Sequence, residues 1–282
     1  MKYSLNKLYS TVGLSKQAVH QYARRQVCLE KKLMDLIVEA DVIREEHPGC
    51  GVRKMYNTLR PDFIGRDRFV EAFMDLGYRL KRRKNFRRTT YASKVDFSNL
   101  IKGMEVYAPS TIWQSDITYI YVGGRFYYAV FIIDVYSKKL VGYQVSDHMR
   151  ATANIKALEM ALKDHKAPLI HHSDRGGQYI SRKYLDLLEK NKTKISMARS
   201  AQDNAYAERI NRTIKEEYLD HWKPETFGQL KRDLKRAVHH YNSKRPHNNL
   251  NNLTPMEFEL TWNKLEEGKR QSFKIFNNEI IN

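Results

Sequence analysis

Three acidic residues, Asp116, Asp174 and Glu208, stand where their carboxylates could act together. Asp116 interrupts the run Trp113-Gln114-Ser115-Asp116-Ile117-Thr118-Tyr119-Ile120-Tyr121-Val122, whose aromatic and β-branched content predicts a buried strand. Asp174 follows a second strand-like run, Leu169-Ile170-His171-His172-Ser173, and precedes the turn Arg175-Gly176-Gly177-Gln178-Tyr179. Glu208 falls in residues 203–212, the opening of a predicted helix. Two strand-end carboxylates and one helix carboxylate make an oxygen-only donor set. Such a set suits a hard divalent cation, magnesium or manganese, rather than zinc. In a chain of net charge +18, clustered carboxylates need a reason, and metal ions that meet phosphate supply one. A single strand aspartate is more often a turn cap or a salt-bridge partner, so the reading rests on the three together.

The elements that must position these residues differ along the chain. Residues 4–26 read as helix–turn–helix: Leu5, Leu8, Tyr9 and Val12 recur at helical spacing, Gly13 breaks the pattern, and Ser15 can cap a second helix. That second helix offers Lys16, Gln17, His20, Gln21, Arg24 and Arg25 to phosphates or base edges. Residues 30–46 predict an amphipathic helix with Leu33, Ile37, Val38, Val42 and Ile43 on its apolar side, and two shorter helices follow at 52–59 and 66–76. His47 and Cys50 have a metal-like spacing but no second pair nearby, so turn chemistry is the better reading. From residue 111 the pattern turns to strands at 112–122, 125–135 and 139–145, with Gly123-Gly124 as a hairpin turn. A helix at 151–165, the Asp174 strand, a helix at 182–191, a strand at 194–197, the Glu208 helix at about 204–219 and a helix at 227–242 complete the order.

Four ordered blocks carry a family resemblance. They are Trp113-Gln114-Ser115-Asp116-Ile117-Thr118-Tyr119, His172-Ser173-Asp174-Arg175-Gly176-Gly177-Gln178-Tyr179, Asp203-Asn204-Ala205-Tyr206-Ala207-Glu208, and Tyr241-Asn242-Ser243-Lys244-Arg245-Pro246-His247-Asn248-Asn249-Leu250 followed by Thr254-Pro255. Over roughly residues 30–260 the chain resembles the OrfB proteins of two-frame bacterial transposases, insertion-sequence family three. These are DDE transposases with a retroviral-integrase-like catalytic core. Between Asp174 and Glu208 lie 33 residues, two fewer than is typical of that family, and the shortening falls in the loop 198–202.

The resemblance implies an α/β fold: an RNase H-like mixed five-stranded sheet flanked by helices, preceded by an all-α, helix-turn-helix-like N-terminal region. In that fold the first and fourth strands are neighbours, which would bring Asp116 and Asp174 together. The implied domains are a helical DNA-binding region with a basic linker (1–94), an integrase-type core (105–262) and a C-terminal tail (263–282). The implied cofactor is a pair of Mg2+ or Mn2+ ions per site, with Asp116 bridging, Asp174 holding one ion and Glu208 the other. The implied activity is cleavage of insertion-sequence ends and joining of the 3′-hydroxyl to target DNA. Its implied partners are transposon-end and target DNA, further copies of the chain assembled on DNA, and an upstream-frame (OrfA-type) protein. Two rivals are a metal-dependent nuclease of the same fold that never joins ends, and a DNA-binding protein descended from a transposase. Asp134, in Phe131-Ile132-Ile133-Asp134-Val135-Tyr136-Ser137, reads as a turn-former outside the metal site.

Composition agrees with a nucleic-acid partner. Residues 1–94 hold 21 Lys and Arg against 10 Asp and Glu, and the densest run is Lys81-Arg82-Arg83-Lys84-Asn85-Phe86-Arg87-Arg88. Lys81, Arg82, Arg83, Lys84, Arg87 and Arg88 are therefore candidate DNA-binding residues, although a basic run is often only a solvated linker. Arg212 and Lys215 join them, since on a helix they lie four and seven residues beyond Glu208 and share its face. The 18 tyrosines form no Arg-His-Arg-Tyr constellation, which counts against a tyrosine recombinase. No apolar run is long enough for a membrane span, and no export signal opens the chain. Cys28 and Cys50 form no CxxC pair. The expected location is therefore the bacterial cytoplasm, at the nucleoid.

Neutralising Lys81, Arg82, Arg83 and Lys84 together should flatten the salt dependence of DNA binding. Each lost phosphate contact is expected to reduce the slope of log K against log salt by about 0.9. Fluorescence anisotropy across a salt series checks this, and an unchanged slope would show that the run is a solvated linker.

Overall fold

The computed structural model describes residues 5–80 and 97–275, so the candidates Lys81, Arg82, Arg83, Lys84, Arg87 and Arg88 lie outside the described residues. The chain divides into two compact units, residues 1–46 with 50–79 and residues 47–49 with 80–282.

The smaller unit is helical: α1 (Leu5–Val12), α2 (Lys16–Glu46), α3 (Val52–Leu59) and α4 (Arg66–Asp75). Ser15 caps α2 as its position suggests, its hydroxyl accepting from the Ala18 N–H at 3.0 Å. The helix that starts there does not stop near residue 26. It runs for 31 residues, because Gln26-Val27-Cys28-Leu29 contains no glycine or proline to break it. The expected apolar face is also corrected. Leu36 and Ala40 are buried and Leu33, Ile37 and Ile43 pack beside them, whereas Val38 and Val42 remain 66% and 55% exposed. Met55, Phe69 and Phe73 complete this core, with the two phenylalanine rings stacked 4.1 Å apart.

The larger unit is built on a mixed five-stranded sheet. Its elements are β1 (Glu105–Val106), β2 (Ile112–Val122), β3 (Arg125–Asp134), β4 (Leu140–Ser146), α5 (Thr152–Asp164), β5 (Ile170–Ser173), α6 (Arg182–Lys190), β6 (Lys194–Met197), α7 (Ala205–Ile214), α8 (Asp220–Trp222), α9 (Phe227–Ser243), α10 (Pro255–Lys264) and β7 (Phe273–Lys274). The order across the sheet is β4-β3-β2-β5-β6. β2, β3 and β4 are antiparallel, and β5 and β6 add in parallel. Gly123 and Gly124 both take positive φ, 54° and 84°, as a two-residue hairpin turn between right-twisted strands requires.

Alternation along β2 and β3 sends side chains to two cores. Ile120, Tyr127, Ala129, Phe131 and Ile133 meet Ile210, Ile214, Leu230 and Leu234 of α7 and α9. Trp113, Val130 and Ile132 meet Ala157, Leu158 and Ala161 of α5 and Tyr184 and Leu188 of α6. At Gly142 an added Cβ would fall 2.3 Å from the Ala157 carbonyl oxygen, so α5 lies directly on β4. Among the described residues, no helix is long and apolar enough to cross a membrane.

Three features depart from the sequence expectation. The Glu208 helix is α-helical only to Ile214 and then opens into a π turn, Lys215–Leu219. Residues 273–274, expected in a tail, pair antiparallel with residues 105–106, and the ring of Phe273 stacks on Tyr136. α10 is an addition to the expected order, although its start is written in Thr254-Pro255-Met256-Glu257. Thr254 and Glu257 form a reciprocal capping box, with proline in the first turn.

His171 is buried inside β5, its Nε2 2.7 Å from the Tyr184 hydroxyl. Burial pushes its pKa down from 6.5 to about 3. The unfolded chain therefore takes up this proton first, so the contribution to stability is full above pH 6.5 and is lost as pH falls below it. Each such group imposes a slope of about 1.4 kcal/mol per pH unit in that window. Urea unfolding between pH 6 and pH 4 should show a shallower decline for His171→Gln than for the parent chain. Identical slopes would place the acid sensitivity elsewhere.

Candidate active site

The parallel pairing of β2 with β5 sets the level of the two aspartates. The last pair in register is Ser115 with Ser173. The next residue along each is acidic, Asp116 within β2 and Asp174 just after β5 ends, on strands that pair about 4.8 Å apart. Asp116 continues along β2, whereas Asp174 enters a turn in which its Oδ1 accepts from the Gly176 N–H at 3.0 Å. A Cβ on Gly176 would sit 3.0 Å from that same oxygen, which explains a glycine there.

Amide side chains bring the third carboxylate. Gln114 is fully buried in β2, beside Trp113. Its Oε1 accepts from the backbone N–H groups of Tyr206 (3.1 Å) and Ala207 (3.4 Å), the first turn of α7. Its Nε2 donates to the Asp203 carbonyl at 3.2 Å. The first N–H groups of a helix have no partner within it, so a strand side chain caps this helix from the sheet. Asn204 adds a bond from its Nδ2 to the Ser115 carbonyl (3.0 Å), and Asn211 one from its Nδ2 to Asp116 Oδ2 (2.7 Å). Glu208 lies three residues before Asn211 and so shares the helix face that meets Asp116.

The three carboxylates perturb one another. Burial pushes the Asp116 carboxyl up to about 8, and the charges of Asp174 and Glu208 push the same way, against the N–H of Ile117 and the Asn211 amide. Glu208 is raised by burial and by Asp174, against Arg212. Lys215 is lowered by burial, with Asp220 and Asp116 opposing. Arg212 is exposed and Lys215 half-buried at the start of the π turn. Among the described residues, no three His, Cys, Asp or Glu side chains stand, as placed, close enough to hold one metal ion. The donor chemistry nonetheless fits a hard cation. It consists of oxygen ligands whose burial and mutual repulsion raise the pKa of the central carboxyl, a cost that a divalent cation would relieve.

Other candidates have structural roles. Asp134 is saturated: its oxygens accept from the N–H groups of Ser110, Tyr136 and Ser137 and from the Ser137 hydroxyl. His172 is buried with its Nδ1 2.8 Å from the Ser196 hydroxyl. Arg245 grips Glu217 of the π turn through two bonds of 2.8 and 2.9 Å, and His47 Nε2 lies 2.7 Å from the same carboxylate. Sequence reasoning passes over Gln114, Asn204, Asn211 and this Glu217 cluster. The available signal is a glutamine inside an apolar strand, which must find partners once buried.

Residues 106–202 and 189–255 each match an integrase core domain family. The 31 kDa protein of insertion element IS600 from Shigella sonnei is 30% identical over 87% of this chain and 93% of its own length. The transposase for IS629 from Shigella sonnei is 31% identical, covering 78% of this chain and 77% of its own. The transposase for IS904 from Lactococcus lactis is 30% identical, covering 73% and 81%. Among solved structures, the HTLV-2 integrase catalytic core domain in complex with magnesium aligns over 54% of this chain and 97% of its own, at 19% identity and a TM-score of 0.45. With relatives at this identity along most of its length and an integrase core domain across its sheet, the chain belongs to the IS3 family of insertion-sequence transposases.

Proposed function

We propose that this transposase cuts insertion-sequence ends with water and joins the freed 3′-hydroxyl to target DNA, using Asp116, Asp174 and Glu208 as metal ligands. The observation that supports the reading is that the charges of Asp174 and Glu208, carried by two other elements, raise the pKa of Asp116. A scaffold does not need such repulsion. It is tolerable where a cation is to be held.

A bound pair of Mg2+ or Mn2+ ions supplies charge relief on the phosphate and stabilises the attacking and leaving oxygens. Asp116, Asp174 and Glu208 would hold the ions. In the cut, the water oxygen bonds to phosphorus and the bond to the 3′ oxygen breaks, leaving a 5′-phosphate and a 3′-hydroxyl. In the joining step, that hydroxyl oxygen attacks a target phosphodiester and the target's own 3′ oxygen leaves. Both steps exchange one P–O bond for another, so no covalent protein–DNA link is needed. Asn211 fixes one oxygen of Asp116, and Gln114 fixes the helix that carries Glu208. Arg212, exposed one turn beyond Glu208, and Lys215 are the cations placed to meet the DNA backbone. The basic run from Lys81 to Arg88, outside the described residues, supplies further candidate contacts to the DNA backbone. Two distant ends must be processed together, so the working form is a multimer on DNA, with an upstream-frame protein as a further partner.

Asp116→Ala, Asp174→Ala and Glu208→Ala should each abolish cutting and joining of a labelled end substrate while DNA affinity is retained. Activity should require Mg2+ or Mn2+, with Ca2+ supporting binding alone. Wild-type rates in any of the three variants, or strong zinc-dependent activity after chelation and reloading, would remove the assignment.

Asn211→Ala removes one hydrogen bond to Asp116, a charged acceptor once a cation is held, worth about 1.5–3 kcal/mol. Joining should slow by about ten- to hundred-fold with DNA affinity unchanged. Single-turnover kinetics check this, and an unaltered rate would leave Asn211 a part of the scaffold only.

A further inference from the structure

The β2–β3 hairpin carries an aromatic surface that neither core uses. The hairpin runs past the last β2–β5 pair, Ser115 with Ser173, so residues 116–122 of β2 project beyond the end of β5. One face of this projection is covered: Tyr127 stacks on Phe227 of α9 at 4.7 Å. On the other face, Ile117 and Val130 still lie in the core against α5 and α6. Farther out, that face holds two cross-strand aromatic pairs, Tyr119 opposite Tyr128 and Tyr121 opposite Phe126. Their rings touch at 5.2 and 5.0 Å, and Tyr119 meets Phe126 diagonally at 6.2 Å. Tyr121 is 64% exposed and Phe126 46%, and the half-exposed Met149 extends the patch, its sulfur 3.7 Å from the Tyr119 hydroxyl.

We infer that this patch is a stacking platform for unpaired bases of the DNA strand that leaves the cleavage site, an inference that rests on the reading of the site as a DNA-cutting centre. Three observations favour bases over a protein partner. The patch is within reach of the chemistry: Tyr119 and Tyr121 lie three and five residues beyond Asp116 on one strand, about 10–17 Å along it and on the opposite face of the sheet. It abuts the turn that follows Asp174, where Gln178 Nε2 donates to the Met149 carbonyl at 2.9 Å. An exposed arginine, Arg150, follows Met149 in the chain. Arg125, by contrast, lies over the Tyr127 ring at 4.9 Å, on the covered face, and pairs with Asp147 at 3.8 Å. Aromatic faces beside an exposed cation are a combination that binds single-stranded nucleic acid without sequence preference, because every base has a π-face and every nucleotide a phosphate. A platform of this kind would hold a strand end after cutting, when base pairs beside the break are opened.

The test uses the full chain and two fluorescein-labelled DNAs of one arbitrary sequence, a blunt duplex and the same duplex with a short unpaired tail. Wild-type protein should bind the tailed DNA more tightly than the blunt one. Tyr121→Ala combined with Phe126→Ala, both at exposed positions, should weaken tailed binding by about five- to hundred-fold and leave blunt binding unchanged. Tyr121→Phe alone should keep the preference, since it keeps the ring. Equal binding of the two DNAs by wild-type protein would overturn the inference. So would an unchanged preference in the double variant, or a halved molecular mass in solution with no effect on either DNA, which would make the patch a self-association surface. Failure of wild-type protein to bind either DNA would instead strike at the transposition reading itself.

Discussion

The geometry of the site depends on one buried amide. Gln114 projects from the middle strand into the start of α7 and satisfies two helix N–H groups that would otherwise have no partner. A helix cap of ordinary kind contributes about 0.5–2 kcal/mol. This one does more than stabilise, because its owner is two residues from Asp116 and its helix carries Glu208. Helix and strand are thereby locked at their acidic residues rather than somewhere along their apolar faces. Asn204 and Asn211 repeat the device on either side, so three amides fix the approach of α7 to β2. Apolar packing between Phe131, Ala207 and Ile210 supplies the attraction but would tolerate sliding; the hydrogen bonds do not.

Against that rigid frame stands an electrostatic load. Asp116 within β2 and Asp174 just past β5 stand on neighbouring strands, and Glu208 of α7 adds to their repulsion. The Asp116 carboxyl, driven up to about 8, records the cost. The fold carries that cost because Asp134, Asp203 and Glu217, the other acidic groups held by several bonds, are compensated by N–H donors or by Arg245. Within the larger unit, then, negative charge is neutralised where it serves structure and left in excess where it can serve chemistry.

Much of the fold is legible in the sequence, for physical reasons that differ by element. β2 to β6 and the helices between them obey simple periodicities, and Gly123-Gly124 announces its turn. Asp116, Asp174 and Glu208 stand out because acidic residues at the ends of apolar runs are conspicuous. The amides do not, because a glutamine within a strand has no periodicity of its own and its partners lie some ninety residues away. α2 reads as two helices because its apolar positions change face near residue 30, yet nothing in that stretch breaks a backbone. β7 reads as tail because a two-residue strand cannot be distinguished from coil until its partner at residues 105–106 is known. The π turn is equally invisible: its residues, Lys215 to Leu219, are ordinary helix formers. The hydrogen bond from the Gly49 N–H to the Glu217 carbonyl that accompanies it joins residues far apart in sequence.

The central claim is that the three carboxylates, held by these amides, form one cation site. Anomalous scattering from crystals of the chain soaked in Mn2+ tests it most directly. The account predicts manganese peaks bounded by carboxylate oxygens of Asp116, Asp174 and Glu208, with Gln114 still capping α7. Manganese bound only elsewhere, or no manganese at a concentration that supports activity, would contradict it.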